Sequence, residues 1–150
     1  MLSKRCFDCF AMSLILMILL YPGAQLVICQ DSAGTWKDAA TGLLWSVKDN
    51  GSDTSWVQAN NYCENLALGG YTDWRLPTRK ELETIYDKRL SKDFKAKNPI
   101  ELKGENMWAE STDSGNAWIF SFLNGGTSML PVAGGCGGNG RALCVRGSGK

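Results

Sequence analysis

The stretch GGYTDWRLPTRKEL, residues 69–82, carries the strongest local structure signals in the chain. Two adjacent glycines are typical of the end of a helix, because glycine adopts the left-handed conformation there without a steric penalty. Pro77 disfavours helical geometry in the residue before it, so residues 71–76 are expected to form a strand or an extended connection. Thr78 and Glu81 have the spacing of a capping box, which starts a helix. The stretch is therefore predicted to join two helices through an extended corner.

Helical periodicity continues on both sides of this corner. Before it, Ser55 and Gln58 form another capping box, and apolar residues follow at a spacing of three to four. This pattern predicts a helix over residues 56–68. After the corner, Leu82 and Ile85 have the same spacing, which predicts the buried face of the second helix.

The remaining segments show the patterns of short strands and turns. The residues DAATG, 38–42, separate two short apolar stretches and predict a hairpin. In NAWIFSFLNGG, residues 116–126, aromatic residues alternate with other side chains before Asn-Gly-Gly, which predicts a strand followed by a second hairpin turn. Further strands are predicted over residues 107–110 and 141–146. The glycine-rich residues 133–140 are expected to form a flexible loop.

The composition restricts the chemistry that the chain can perform. Its 150 residues accommodate one domain and include six tryptophans but no histidine. Without histidine, the usual general base at neutral pH and the commonest zinc ligand are both missing. This argues against most hydrolases and zinc sites, and we predict neither a metal nor another cofactor.

The N-terminal residues have the pattern of an export signal. A basic pair precedes an apolar run over residues 10–20, which is short for a membrane span. We predict a signal peptide over residues 1–24, a linker over residues 25–34 and one domain over residues 35–147. A lipid anchor on Cys29 and an uncleaved membrane anchor are the alternatives.

The net charge gives no indication of a nucleic-acid partner. Removal of the signal peptide takes two of the 16 basic and one of the 15 acidic residues, which leaves 14 of each. A protein without excess positive charge has no general attraction to nucleic acid, although charge can still be arranged locally.

Four cysteines follow the predicted signal peptide, namely Cys29, Cys63, Cys136 and Cys144. In an exported domain they suggest two disulfides, for which three connectivities are possible. The four lack the paired C-x-x-C spacing of zinc sites, so a structural zinc is the weaker interpretation.

Four stretches together resemble a known bacterial family. They are TGLLW at 41–45, NYCENLALGGYTDWRLPTRKELETIYD at 61–87, AWIFSFLNGG at 117–126 and CVR at 144–146. The resemblance is to the Lcl C-terminal domain, which is named after the C-terminal domain of the Legionella collagen-like adhesin. It implies an α+β fold that is a variant of the C-type lectin fold, with two helices packed on a small twisted antiparallel sheet.

The resemblance also implies a disulfide between Cys63 and Cys144. Such a bridge would tie the first helix to the last strand in a domain with a small core. Cys29 and Cys136 would then be left to pair with each other.

The adhesin resemblance implies an exported, non-enzymatic binding or adhesion module, with sulfated glycans as one ligand class. Residues 88–103 offer a physical means, because their six basic side chains outnumber Asp93 and Glu101. Trp108 adds an aromatic face beside a polar loop, where a sugar ring could stack. The candidate ligand-binding residues are Lys88, Arg89, Lys92, Lys95, Lys97, Lys103 and Trp108.

Two other functions fit the sequence. A structural or assembly module would contact another envelope protein through an exposed Trp108 and the hairpin at residues 124–126. A carboxylate-dependent hydrolase, using residues such as Asp73 and Glu110, is the weaker alternative. Arg75 is assigned a structural role, in which it pairs with Asp73 or a more distant carboxylate. All versions place the protein in the periplasm, at the cell surface or outside the cell, and restrict membrane contact to an uncleaved or lipid anchor.

Overall fold

Two helices and six short strands form the described part of the protein. The computed structural model describes residues 34–112, 115–132 and 140–148. In chain order the elements are β1 (Thr35–Lys37), β2 (Leu44–Ser46), α1 (Trp56–Glu64), α2 (Arg79–Ile85), β3 (Asn106–Ser111), β4 (Asn116–Ser121), β5 (Thr127–Pro131) and β6 (Val145–Arg146). The strands form two antiparallel three-stranded sheets, so the predicted α+β class is confirmed.

Some predictions concern residues outside these ranges. The signal peptide, nearly all of the linker, Cys29, Cys136 and residues 133–139 lie there, so the cleavage and the Cys29–Cys136 pairing stay predictions. Within the described ranges, neither helix has the length and apolar character needed to cross a membrane.

The first sheet has the order β1-β2-β6 and brings the two ends of the domain together. The predicted hairpin joins β1 to β2, with Trp36 opposite Trp45. Its turn is held by the Asp38 carboxylate, which accepts hydrogen bonds from the Ala40 N–H (3.1 Å) and the Thr41 hydroxyl (2.7 Å). Such side-chain bonds to nearby groups are what make Asp a frequent turn residue.

The second sheet has the order β3-β4-β5 and contributes to two buried clusters. Phe120 and Phe122 pack with Leu82 and Ile85, the apolar residues that the sequence assigned to the buried side of α2. The second predicted hairpin joins β4 to β5, with Phe120 opposite Thr127. Gly125 lies in its turn with a φ of 78°, a conformation that favours glycine.

The predicted end of the first helix is wrong. α1 begins at Trp56 behind the Ser55–Gln58 capping box, as predicted, but it ends at Glu64 rather than at residue 68. The Asn65 side chain donates a hydrogen bond to the Asn61 carbonyl (2.8 Å) and so satisfies an acceptor of the last turn. The two glycines instead form a tight turn between Leu68 and Tyr71, whose N–H and C=O groups bond each other at 3.1 Å.

The extended corner after that turn is confirmed as a connection between the helices. Arg75 forms a single antiparallel bridge with Val145 of β6, and each backbone N–H donates to the other residue's carbonyl at 2.9 Å. Thr78 and Glu81 form the predicted capping box, and α2 follows. The corner therefore attaches both helices to the last strand of the first sheet.

The disulfide between Cys63 and Cys144 is confirmed. Cys63 lies on α1 and Cys144 directly precedes β6, and both residues are fully buried in the same cluster. The bridge closes a sequence separation of 81 residues. It thus adds a covalent link between α1 and the first sheet to the hydrogen bonds made by the corner.

Candidate functional site

The basic segment, residues 88–103, is a loop that is anchored to the core at several backbone positions. Lys97 donates its N–H to the Ile85 carbonyl (2.8 Å), and Lys95 donates its N–H to the Phe122 carbonyl (2.8 Å). Ala96 between them is fully buried, and Ile100 is buried further along. The loop therefore follows the end of α2 with a fixed backbone, and its charged side chains start from defined positions.

Three of the six basic side chains, those of Arg89, Lys92 and Lys95, hydrogen-bond to other groups of the protein. The Arg89 guanidinium binds the Asp87 carboxylate through two hydrogen bonds of 2.9 and 2.7 Å. Mainly through this contact, with a smaller contribution from the charge of Lys97, the pKa of Asp87 lies well below its usual range. The Lys95 ammonium donates to the Leu123 carbonyl at 2.8 Å. These interactions reduce the charge that the segment can offer to a ligand.

Lys92 and Lys103 are brought together in one open groove of about 410 Å³. Phe94 and Ile100 contribute apolar surface to it, and Asn98 accepts a hydrogen bond from the Lys92 ammonium at 3.2 Å. Asp93 and Glu101 line the same groove, and the Lys48 ammonium lies 4.0 Å from Glu101. The structure thus separates the six basic residues that were predicted to bind a ligand. Lys92 and Lys103 line the groove, whereas Lys88 is exposed outside its lining.

The expectation that Trp108 is exposed is wrong. Its side chain is 4% exposed, and its indole N–H donates to the Thr54 carbonyl at 2.8 Å. Trp108 packs beside Ile119 and Cys63 in the core, so its ring offers no open face for a sugar. The polar residues that follow Trp108 suggested exposure, but β3 is covered on both sides at this position.

Asp73, one of the carboxylates considered for a hydrolase, and Glu81 are each bound by an arginine. Arg146 binds Asp73 through two hydrogen bonds of 2.7 and 2.8 Å, and chiefly for this reason the pKa of Asp73 is lowered. Arg75 binds Glu81 at 2.7 and 2.8 Å, which confirms its structural role with the more distant carboxylate. Burial alone would raise the pKa of Glu81, but the bonds from Arg75 and Thr78 outweigh it and lower the pKa. These two groups are therefore ionised at neutral pH and unsuited to act as general acids.

Glu110, the other hydrolase candidate, is exposed on β3. Asp73 and Glu81 are bound to arginines, so neither is free to share acid and base roles with Glu110. Across the described ranges, no group of three or more Cys, Asp or Glu residues is placed to hold a metal ion.

The comparison with protein families decides the relationship that the sequence suggested. The model of the Lcl C-terminal domain matches residues 34–146. The chain belongs to this family. A comparison with curated proteins finds no match. The family is associated with an adhesin and is not a known enzyme family, which favours a binding or adhesion module that acts outside the cytoplasm.

This Lcl C-terminal domain has a second concavity that the sequence did not reveal, which we call the hairpin pocket. It has a volume of about 220 Å³ and lies at the β4–β5 hairpin. Asn106 of β3 also lines it. Its lining residues are Asn106, Ile119, Ser121, Asn124, Gly126, Thr127 and Ser128. The turn signal at residues 124–126 was visible in the sequence, but the approach of Asn106 depends on the pairing of β3 with β4.

Proposed function

We propose that this chain is an exported, non-enzymatic adhesion module with a C-type-lectin-like fold that binds anionic, sulfated glycans. The observation that carries the proposal is the groove in which Lys92 and Lys103 converge beside the apolar residues Phe94 and Ile100. Lysine ammonium groups bind sulfate as point charges, and apolar surface can contact the carbon-bound hydrogens of a sugar ring.

The charge pattern of the groove predicts moderate, salt-sensitive binding. Asp93 and Glu101 lower the positive potential that the two lysines create, and their carboxylates limit where a sulfate can lie. Exposed charges are screened over about 8 Å at physiological ionic strength. We therefore expect a sulfated glycan to dissociate at modest salt concentrations.

Heparin affinity chromatography tests this groove. The variant Lys92→Glu/Lys103→Glu should elute at a lower salt concentration than the unmodified protein, because two attractive contacts become repulsive. The matched control is Lys37→Glu/Lys80→Glu, which changes the net charge equally at exposed residues outside the groove. Equal shifts for both variants, or no shift for the groove variant, would contradict the proposal. A glycan array run with and without Ca²⁺ then defines the ligand class.

The arrangement of the elements supports the C-type-lectin-like fold. Two helices lie beside small antiparallel sheets, and β1 and β6 both pair with β2, so the ends of the domain meet. An experimental structure should superpose on C-type lectin domains in this order of elements. A different path of the chain between α2 and β3 would argue against the relationship.

Removal of residues 1–24 is the expected sign of export through a cleaved signal peptide. Intact-mass measurement of the protein recovered from the cell envelope or medium tests this cleavage. A chain that begins at Gln25 is expected, whereas a mass that includes lipid on Cys29 or the whole leader would replace the signal peptide with an anchor.

An assembly role with another envelope protein is the second candidate. It is favoured by exposed apolar side chains at the second hairpin, where Leu123 and Met129 are 46% and 50% exposed. Aromatic residues and methionine are enriched in protein interfaces. A glycan array without hits, together with a stable protein partner lost in Met129→Asp, would support this role over glycan binding.

A further inference from the structure

We infer that the hairpin pocket binds an uncharged sugar ring, at a site separate from the lysine groove. The class of ligand rests on the proposed glycan-binding function, but the residues of this site differ from those that line the lysine groove. The pocket is lined by two asparagines, two serines and a threonine, and none of its described lining residues is charged. The residues that carry the polar groups are Asn106, Ser121, Asn124, Thr127 and Ser128.

The amide side chains are held in place by bonds that leave half of each amide available. The Asn124 Oδ1 atom accepts a hydrogen bond from the Gly126 N–H at 2.7 Å, so its NH₂ group remains as a donor. The Asn106 NH₂ group donates to the Glu105 carboxylate at 3.2 Å, which leaves its Oδ1 atom as an acceptor. A sugar hydroxyl is both donor and acceptor, so it can use groups of either kind.

The hydroxyls add further unused hydrogen-bonding capacity. Ser121 Oγ accepts a bond from the Leu123 N–H at 3.3 Å but keeps its own proton for donation. Thr127 and Ser128 are exposed at the start of β5, and both line the pocket. Polar groups around one concavity whose hydrogen-bonding capacity is only partly used favour a polar ligand over a purely structural role.

The frame around these groups is preorganised. Ser128 lies opposite Ile119 in the β4–β5 ladder, and Asn106 lies opposite Ser121 in the β3–β4 ladder. Ile119 is 5% exposed and supplies an apolar wall against the sheet. A rigid frame lowers the entropy cost of binding. At about 220 Å³ the pocket is smaller than the roughly 300–1,000 Å³ of drug-sized sites, which restricts it to one ring of a glycan.

NMR titration of the full exported chain, labelled with ¹⁵N, tests the inference. The probes are glucose, galactose, mannose and N-acetylglucosamine, each of which is uncharged. At least one should cause saturable shifts in the amide signals of Ser121, Gly125, Gly126 and Ser128. The absence of saturable shifts in these signals for all four sugars would overturn the inference, as would shifts confined to residues 92–103.

The variant Asn124→Asp separates recognition from folding. A carboxylate can still accept the Gly126 N–H bond that shapes the turn, but it cannot donate to a sugar hydroxyl. We expect about a tenfold loss of affinity, and a comparable loss in Ser128→Ala. The control Ser52→Ala removes an exposed hydroxyl that does not line the pocket and should bind normally.

Heparin retention distinguishes failure of this site from failure of the proposed function. Ser128→Ala, which does not change the net charge, should leave heparin retention unchanged if the lysine groove binds sulfated glycans independently. Unchanged sugar affinity in Asn124→Asp would overturn the hairpin site alone. Lost retention in Lys92→Glu/Lys103→Glu would support the groove, whether or not the monosaccharides bind the hairpin pocket.

Discussion

Arg75 connects three parts of the molecule through one side chain. Its guanidinium binds Glu81 at the start of α2 and donates to the Gly147 carbonyl at 2.9 Å after β6. Glu81 also accepts the Thr78 N–H at 2.7 Å, so the same carboxylate completes the capping box. An arginine can hold all of these acceptors because its planar group has five donors.

The Arg75–Glu81 pair predicts a loss of stability in acid. The pKa of Glu81 is lowered in the folded protein, so the pair contributes stability above the unfolded pKa of about 4.3. This contribution is lost as the pH falls through the lower, folded pKa. In Glu81→Gln the free energy of unfolding should fall by about 1–3 kcal/mol at pH 7, with little change near pH 2. Urea unfolding at several pH values measures both effects.

Glu83→Gln is the matched control for this prediction. Glu83 lies on the same helix and pairs with Arg79 at 3.0 Å, but this pair is exposed. Exposed pairs at this spacing contribute only about 0.3–0.5 kcal/mol, so the control should unfold almost as the original protein does. Parallel pH profiles for Glu81→Gln and the unmodified protein would contradict the assigned role.

Among the elements, the turn at Gly69 and Gly70 follows α1 and packs against Thr35 of β1. Gly69 has a φ of 62°, and an added Cβ atom there would lie 2.8 Å from the Thr35 Cγ2 atom. The position thus requires glycine for its backbone conformation and for its contact with β1. Gly42 has a φ of 78°, yet an added Cβ atom would meet no atom within 4 Å.

This difference predicts that replacing Gly69 and Gly42 by alanine lowers the stability by different amounts. Both Gly69→Ala and Gly42→Ala should lose about 1–2 kcal/mol of stability, because a left-handed conformation is strained for alanine. Gly69→Ala should lose about another 1–3 kcal/mol, since Thr35 or the turn must move. Thermal and urea unfolding of the two variants compare the costs directly. Equal costs would show that the contact with Thr35 relaxes freely.

Across the whole molecule, the sequence predicted local features better than contacts between residues that are far apart in the chain. The capping boxes at Ser55 and Thr78 and both hairpins could be predicted because their signals lie within a few residues. The burial of Trp108 could not, because it depends on contacts with Thr54 and Ile119 far along the chain. The hairpin pocket was missed for the same reason, since it needs the register of three strands.

The basic segment illustrates the same limit for charge. Its excess of lysine and arginine was visible in the sequence, but the number of available cations was not. Asp87 lies just before the segment and binds Arg89, while the carbonyl of Leu123 comes from the second hairpin and holds Lys95. The fold therefore decides which basic side chains line the groove, and these are Lys92 and Lys103.

The disulfide is the contact whose removal should affect the whole molecule most. It constrains a separation of 81 residues, and a bridge over a loop of this length stabilises by about 4–5 kcal/mol in the chain-entropy model. We expect Cys63→Ala/Cys144→Ala to lose about 2–5 kcal/mol, measured by urea unfolding. The unmodified protein, once reduced, should be about as stable as the variant. Reducing agent should not lower the stability of the variant through this bond, because the variant lacks it. If thiol labelling shows full reduction but stability is unchanged, the backbone hydrogen bonds between Arg75 and Val145, together with the packing around Cys63, suffice to hold α1, the corner and the first sheet together.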